Sequence, residues 1–253
     1  MGSDRPGYFE FSRRVSIISF NIFAPDGAPP SPPACTGFAK LLGARRLLHP
    51  HFVIAVLNDL YGIQARSGCS CTGPYGHRLF GLGDEVSHAI RRLALDSGEH
   101  AAKPGWARVN FNYFVTPGEV DFIVEAVRQI ATDGWRLLPF YVMDPSSGQF
   151  VHRAFERLDA LRSLAELQIE EGWGAVRYRV SCQDEKPFDP AATLAAARAT
   201  YGSAERLVRQ EGAGAFGAAE DYESEPSADL KALEWWLTPS AAAAMLRGES
   251  RGE

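Results

Sequence analysis

Apolar residues recur every three or four positions between Thr116 and Ile130, the spacing that places side chains on one face of an α-helix. Thr116 and Glu119 form the capping box that starts such a helix, and Pro117 suits its first turn. The same period predicts helices over residues 51–61 and 84–95. Weaker helical signals mark two further ranges, 155–171 and 191–209.

Three other stretches have the composition or the alternation of β-strands. Residues 15–22 are rich in β-branched and aromatic side chains and lack Gly and Pro, which predicts a buried strand. Residues 107–114 alternate apolar with polar side chains, which predicts a strand with one buried face. A third strand is expected within residues 134–142. Strands interleaved with helices indicate an α/β or α+β fold, and the period alone does not separate the two.

Charge and composition place one boundary near residues 181–189, where an acidic, alanine-rich C-terminal segment (183–253) begins. Five prolines between Pro25 and Pro33 cannot continue a strand, so residues 25–47 are interpreted as a loop insertion.

The C-terminal segment differs from the rest in charge. It carries 7 basic and 13 acidic side chains, whereas residues 1–182 carry 19 and 18. Few of its residues are large and apolar, so we expect a helical or partly disordered extension rather than an independent core. Its three consecutive apolar residues, Trp235, Trp236 and Leu237, are expected to dock on the main domain.

Composition also narrows the partners and the compartment. A net charge of −5 argues against nonspecific binding to nucleic acid, which needs clustered positive charge. The longest apolar runs, 52–57 and 241–246, are far shorter than the roughly 18 residues of a membrane span. The N-terminus has no apolar leader and the four cysteines are too sparse for a disulfide scaffold. We therefore expect a cytoplasmic protein with reduced thiols, and neither a nucleic-acid nor a membrane partner.

The segment from Gly62 to Gly83 carries candidate chemistry. Cys69 and Cys71 lie among glycines shortly after Arg66, where nearby positive charge can favour a reactive thiolate. The alternative is a tight turn with two incidental cysteines. Together with His77 the thiols could hold a metal, although this spacing is not the paired C-x-x-C of structural zinc sites.

Arg108 is the second candidate. It lies on the polar face of the predicted strand 107–114, next to Trp106 and Asn110, where its guanidinium could bind a carboxylate through two parallel hydrogen bonds. The alternative is an ordinary surface arginine. A G-x-G-x-x-G match beginning at Gly212 follows a helical stretch instead of a strand, so it predicts no nucleotide site.

These features resemble the small, C-terminal domain of the class V aminotransferase-like enzymes that use pyridoxal phosphate, a group that includes cysteine desulfurases and selenocysteine lyases. The resemblance covers roughly residues 13–153, the main domain, and so implies an N-terminal tail (1–12) before it and a helical or strand extension (154–182) after it. Its motifs are VSIISF (15–20), LHPHFVIAVLNDLYGIQARSGCSC (48–71), TGPYGH (72–77) and KPGWARVNFNY (103–113). It implies an α+β domain, with helices packed on a small, mainly antiparallel sheet.

The resemblance also implies roles for individual residues. Cys71, with Cys69 as the alternative, matches the desulfurase cysteine that takes sulfur as a persulfide. Arg108 matches the arginine that binds the substrate carboxylate, and Arg66 precedes the cysteine turn as a further substrate-binding residue. The two histidines of the desulfurase pattern are replaced here by Cys69 and Ser70, so desulfurase and transaminase ancestry both remain open.

The family's cofactor lysine has no counterpart here. Family members hold pyridoxal phosphate as a Schiff base with a lysine of the large domain, far upstream of the cysteine turn. The chain has four lysines, Lys40, Lys103, Lys186 and Lys231, and none has that context. We therefore expect this chain alone to bind no pyridoxal phosphate and to be inactive alone.

Three functions follow as hypotheses. The first is a small domain separated from its catalytic domain by truncation or a split gene, acting on an amino acid when a large-domain chain complements it. The second is a noncatalytic interaction protein with an exposed apolar face for a partner or a second copy of itself. The third is a metal or redox module built from Cys69, Cys71 and His77.

Overall fold

Helices and antiparallel strand pairs make up the computed structural model, which describes residues 15–30, 45–69, 71–154, 168–170, 177–179, 188–211 and 221–249. The helices of these ranges are α1 (Pro50–Tyr61), α2 (Gly73–Leu79), α3 (Asp84–Arg92), α4 (Pro117–Asp133), α5 (Pro190–Glu211), α6 (Ala228–Ala232) and α7 (Pro239–Arg247). The strands are β1 (Ile17–Phe20), β2 (Ala107–Asn110), β3 (Tyr141–Met143), β4 (Phe150–His152), β5 (Gln168–Glu170) and β6 (Arg177–Arg179). The chain is therefore α+β, which confirms the expected class.

Strand β2 has hydrogen-bonded neighbours on both sides. On one side β1 pairs with it antiparallel, with Ile17 opposite Asn110 and Phe20 opposite Ala107. On the other side the backbones of Arg66 and Arg108 exchange two N–H···O hydrogen bonds, with N···O distances of 3.1 and 2.7 Å. β2 is thus the centre of a small antiparallel arrangement. The pairs β3–β4 and β5–β6 are also antiparallel.

The prediction that residues 15–22 form a buried strand is wrong in part. The strand exists, but it is limited to β1, and it is not buried: Ile17 and Ile18 retain 39% of their accessible surface, and Val15, which precedes the strand, retains 75%. Within the described residues β1 pairs with β2 alone, so it is an edge strand. A run of apolar residues indicates strand propensity but does not reveal how many neighbours the strand has.

Two predicted helices form close to their expected bounds. In α4 the Thr116 side chain accepts the Glu119 N–H, and the Glu119 carboxylate accepts the Thr116 N–H, which confirms the capping box. Helix α1 ends at Gly62 in a left-handed conformation, φ 66°. The buried faces of the two helices pack together, with Val53, Val56 and Leu57 on α1 and Phe122, Ala126 and Ile130 on α4 among their buried residues.

The strand expected over residues 134–142 is mostly absent. A 3₁₀ helix occupies Gly134–Phe140, and only Tyr141–Met143 is extended, as β3. Pro139 explains the difference, because proline cannot donate a ladder hydrogen bond and is disfavoured within a strand. The helix expected over 155–171 lies mainly outside the described residues, but its last turn is wrong, since Gln168–Glu170 is β5.

The C-terminal segment docks where the apolar run predicted. Trp235, Trp236 and Leu237 are buried, and the backbone of Leu47 bonds Trp235 and Leu237 on either side. The Trp235 indole N–H donates to the Ala102 carbonyl at 3.0 Å. Asp221, in the acidic C-terminal segment, is buried, and its carboxylate accepts the Ser240 N–H and hydroxyl, both at 2.6 Å.

His49 joins the start of α1 to this docked segment. Its ring lies 5.1 Å from that of Trp235, and its Nδ1 accepts the His51 N–H at 3.2 Å. Nε2 lies 3.1 Å from the Ala101 carbonyl oxygen. Because Nδ1 accepts a hydrogen bond and a carbonyl oxygen can only accept, the ring is the neutral tautomer with its proton on Nε2. His49 is the N-cap residue of α1 and is buried. Burial lowers the pKa of His49 well below its usual range, and the nearby His51 lowers it further.

We expect acid to weaken the fold through His49. Since its pKa is lower in the folded chain than in the unfolded chain, the unfolded chain binds more protons as the pH falls below about 6.5. The urea concentration at the unfolding midpoint should therefore decrease when the pH is lowered from 7.5 to 5.5. The decrease should be smaller in His49→Gln, and unchanged in His88→Gln on an exposed turn of α3. An equal decrease in all three chains would contradict this role. Burial raises the pKa of Asp221 to about 6. Its effect on the pH dependence of stability is the same in all three chains and therefore cancels in the comparison.

Candidate functional site

The exposed face of β2 carries the candidate arginine. Side chains of a strand point to alternate faces, and Ala107 and Val109 point into the core, where they are 1% and 7% exposed. Arg108 and Asn110 therefore point to the opposite face. Arg108 is half-buried and Asn110 is exposed. The alternation expected from the sequence is confirmed over Ala107–Asn110, where the strand ends.

Two arginines lie opposite each other on that face. Arg66 and Arg108 form a hydrogen-bonded antiparallel pair, in which Cα atoms are about 5.5 Å apart and side chains point the same way. Ser19 of β1 is opposite Arg108 on its other side. Like charges directly opposite one another destabilise a ladder. Within the described ranges neither guanidinium has an ion-pair partner or a side-chain hydrogen bond, so this face is a concentrated, uncompensated positive charge.

The turn after Arg66 is held by a glycine–glycine contact. Gly68 has φ +94° and its carbonyl accepts the Trp106 N–H at 3.3 Å. A Cβ on Gly105 would lie 2.6 Å from the Cα and carbonyl carbon of Gly68, closer than real contacts allow. Only glycine at position 105 lets the two backbones approach this far. The contact fixes where the cysteine turn leaves the sheet.

The two cysteines of that turn differ in exposure. Cys69 is partly buried beside Gly76 and Trp106, since a Cβ built on Gly76 would lie 3.7 Å from the Cys69 Cβ and 3.6 Å from the Trp106 ring. Cys71 is exposed and has φ +64°, a left-handed conformation that non-glycine residues rarely adopt. Both thiols are free. Its exposure makes Cys71 the more accessible candidate nucleophile, and backbone strain of this kind is often found at functional sites.

The proposed metal ligands do not come together. The His77 Nδ1 is hydrogen-bonded to the Ser87 hydroxyl at 2.6 Å. No cluster of three His, Cys, Asp or Glu side chains in the described part of the chain could hold a metal ion. The metal module therefore gains no support from the geometry of Cys69, Cys71 and His77.

An apolar depression of about 390 Å³ adjoins the arginine face. Ser19, Trp106, Tyr75 and Leu79 are among the residues that line it. Tyr75 and Leu79, both on α2, retain 58% and 45% of their surface. Sequence reasoning singled out neither α2 side chain; the only available signal was that TGPYGH continues the cysteine turn.

A second cavity, of about 530 Å³, lies between α1, residues 64–67 and β4. Its lining includes His51, Asp59, Ser67 and His152. The His51 Nδ1 lies 2.8 Å from the Gly148 carbonyl oxygen, and burial lowers the pKa of His51. Because Ser67 follows Arg66 in an extended segment, this cavity is on the far side of the strand from the guanidinium.

Sequence reasoning also missed Ser19 and Gly105. Ser19 was one polar residue in an apolar strand, and its position opposite Arg108 follows from the register alone. Gly105 gave a clearer signal, because it directly precedes a predicted strand. Cys35 and Cys182, also expected as reduced thiols, lie outside the described residues.

Comparisons of the chain with protein-family models, with curated proteins and with solved structures found no match. Among the described residues, no helix combines the length and the apolar composition that crossing a membrane requires.

The glycine–glycine contact can be tested by adding one methyl group. Gly105→Ala should destabilise the chain by about 1–3 kcal/mol, because the new Cβ meets the Gly68 backbone, which cannot rotate away. Gly118→Ala is the matched control: it lies in the first turn of α4 with nothing within 4 Å of the added Cβ. Urea unfolding measures both. Equal midpoints for the two variants would show that the close approach does not exist in solution.

Proposed function

We propose that this chain supplies the substrate-carboxylate half of a class V aminotransferase-like active site, with a lysine-bearing domain supplying the cofactor half. The observation that supports it best is the opposed pair Arg66 and Arg108, two guanidinium groups with no counter-ion in the described structure, beside the Cys69–Cys71 turn. A planar guanidinium binds a carboxylate through two parallel hydrogen bonds, and the carboxylate would relieve the repulsion between the arginines.

Arg108 is the better placed of the two for the α-carboxylate. It lies on the central strand, half-buried, with paired backbone on both sides, so its Cα is firmly positioned. Partial burial strengthens a charge-assisted hydrogen bond because fewer waters compete for it. Arg66 is more exposed and lies on the segment that leads into the cysteine turn.

The accessible thiol belongs to the same proposal. Cys71 is exposed and strained, whereas Cys69 packs beside Trp106. In this interpretation Cys71 faces the substrate side of the turn and Cys69 is mainly a packing residue. The replacement of the two desulfurase histidines by Cys69 and Ser70 means that the thiol chemistry itself need not be sulfur transfer.

The described lysines do not fit the role of the cofactor amine. Lys103 is exposed and contacts the His100 ring. Lys231 is exposed and forms an ion pair with Glu225 at 2.6 Å. A Schiff-base lysine needs a desolvated amine at the cofactor aldehyde, and neither position offers one. Lys40 and Lys186 lie outside the described residues. The proposal therefore assigns pyridoxal phosphate to the lysine-bearing domain.

The apolar depression beside the arginines is the proposed contact for that domain. Tyr75 and Leu79 are exposed on α2 and border the same face as Ser19 and Trp106. Exposed apolar patches next to polar groups are typical of protein interfaces. These side chains also favour the second candidate function, an interaction protein without catalysis, in which the same surface binds a partner or a second copy of this chain.

Binding of an amino acid to the chain alone tests the carboxylate site. Titration of ¹⁵N-labelled chain with L-alanine should shift the Trp106 indole signal, because Trp106 lies two residues from Arg108 on the same face. Arg108→Gln should weaken binding about tenfold, the effect of losing a charge-assisted hydrogen-bond pair. Arg91→Gln, a matched charge change on exposed α3, should leave it unchanged.

An Arg108→Gln variant that binds L-alanine as tightly as wild type would contradict the proposal. If L-alanine fails to bind at all, the interaction protein becomes the better hypothesis. Sedimentation of wild type against Tyr75→Ser then shows whether this surface holds two copies together.

A further inference from the structure

We infer that the ligand of this site is an amino acid with two acidic groups, one carboxylate for Arg108 and a second acid for Arg66. The inference rests on the proposed function and adds to it the class of substrate. The two arginines lie directly opposite each other in one hydrogen-bonded pair of the ladder. Their side chains leave the sheet on the same face, a short distance apart.

The hydrogen-bonding capacity of the groups argues for two acids. Each guanidinium presents a fork of N–H donors that matches both oxygens of one carboxylate. One carboxylate has a single edge on which both oxygens face the same fork, so two forks that each use this geometry need two acidic groups. A ligand with a single carboxylate would leave one arginine without its matching partner.

The charge on this face leads to the same conclusion. Around the arginines the face carries Ser19, Asn110 and Trp106, none of which is negative. A monocarboxylate neutralises one of the two positive charges and leaves the other uncompensated. A second acid on the ligand neutralises both. Unpaired arginines also occur on helix surfaces, at Arg91 for example, so it is the opposition of two that carries the inference.

The position of Arg66 gives the second acid a location. Residues 66–68 run alongside the central strand, because Arg66 pairs with Arg108 and the Gly68 carbonyl accepts the Trp106 N–H; the cysteine turn follows this segment, and the α-carboxylate is assigned to Arg108. A side-chain acid would therefore extend from Arg108 across the ladder to Arg66. A two- or three-carbon spacing between the acids, as in L-aspartate and L-glutamate, matches a separation similar to that of neighbouring strands, about 4.8 Å.

Competing titrations of L-alanine, L-aspartate and L-glutamate at constant ionic strength test the inference. We expect at least one of the diacids to bind about tenfold more tightly than L-alanine. Arg66→Gln should remove that preference and leave L-alanine binding within about twofold of wild type. Arg66→Lys, which keeps the charge and loses the fork, should retain only part of the preference. Arg91→Gln should keep all of it. Circular dichroism confirms that each variant is folded.

Two results would overturn the inference and leave the proposed function in place. One is equal affinity for L-alanine and both diacids. The other is an Arg66→Gln variant that weakens L-alanine and the diacids by the same factor, since the two arginines would then share one carboxylate. Absence of binding by all three amino acids would overturn both. Inorganic phosphate that binds as tightly as the better diacid, with the same dependence on Arg66, would show a general dianion site and also contradict the inference.

Discussion

The pairing of β2 on both edges is the constraint on which the site depends. A strand with two neighbours cannot rotate about its own axis, so the alternation of its side chains becomes a fixed division between core and exposed face. Ala107 and Val109 enter the core, and Arg108 must therefore face outward. The same backbone hydrogen bonds hold Arg66 directly across from it, although like charges in that arrangement destabilise the ladder.

Retention of this repulsive pair has a physical consequence. A surface that holds two cations together by its backbone is preorganised for an anion, because the cost of bringing the charges close is met during folding. The glycine contact at positions 68 and 105 extends the same arrangement to the thiols, by setting where the turn leaves the sheet. The exposed α2 side chains border the face that carries the cations, and the strained turn follows Arg66 in the chain. That grouping, more than any single residue, is what the proposed function explains.

The core around His49 is organised differently from the arginine face. There the core closes around His49, whose two ring nitrogens satisfy the start of α1 and the Ala101 carbonyl while its ring packs on Trp235. A buried neutral histidine with both nitrogens bonded is a specific link between distant parts of the chain. It links the acidic C-terminal segment to the main domain, and residues 235–237 are buried as part of the core.

Much of the helical structure could be predicted because its signals are local. The Thr116–Glu119 capping box and the stop at Gly62 involve atoms within one or two turns, and they form as expected. The strand 107–114 was recognised from its period, although the ladder ends at Asn110. The burial of residues 15–22 was not predictable, since it depends on the number of neighbours.

The sequence by itself determined where α1 and α4 begin and end, which residues of β2 face the core, and that two tryptophans near the C-terminus had to be covered. Only the tertiary structure decided that Arg66 lies opposite Arg108, that Ser19 joins them and that Asp221 caps α7. The reason is one of range. Helix caps and side-chain periods depend on residues close in sequence, whereas strand register and long-range hydrogen bonds depend on how separate segments pack.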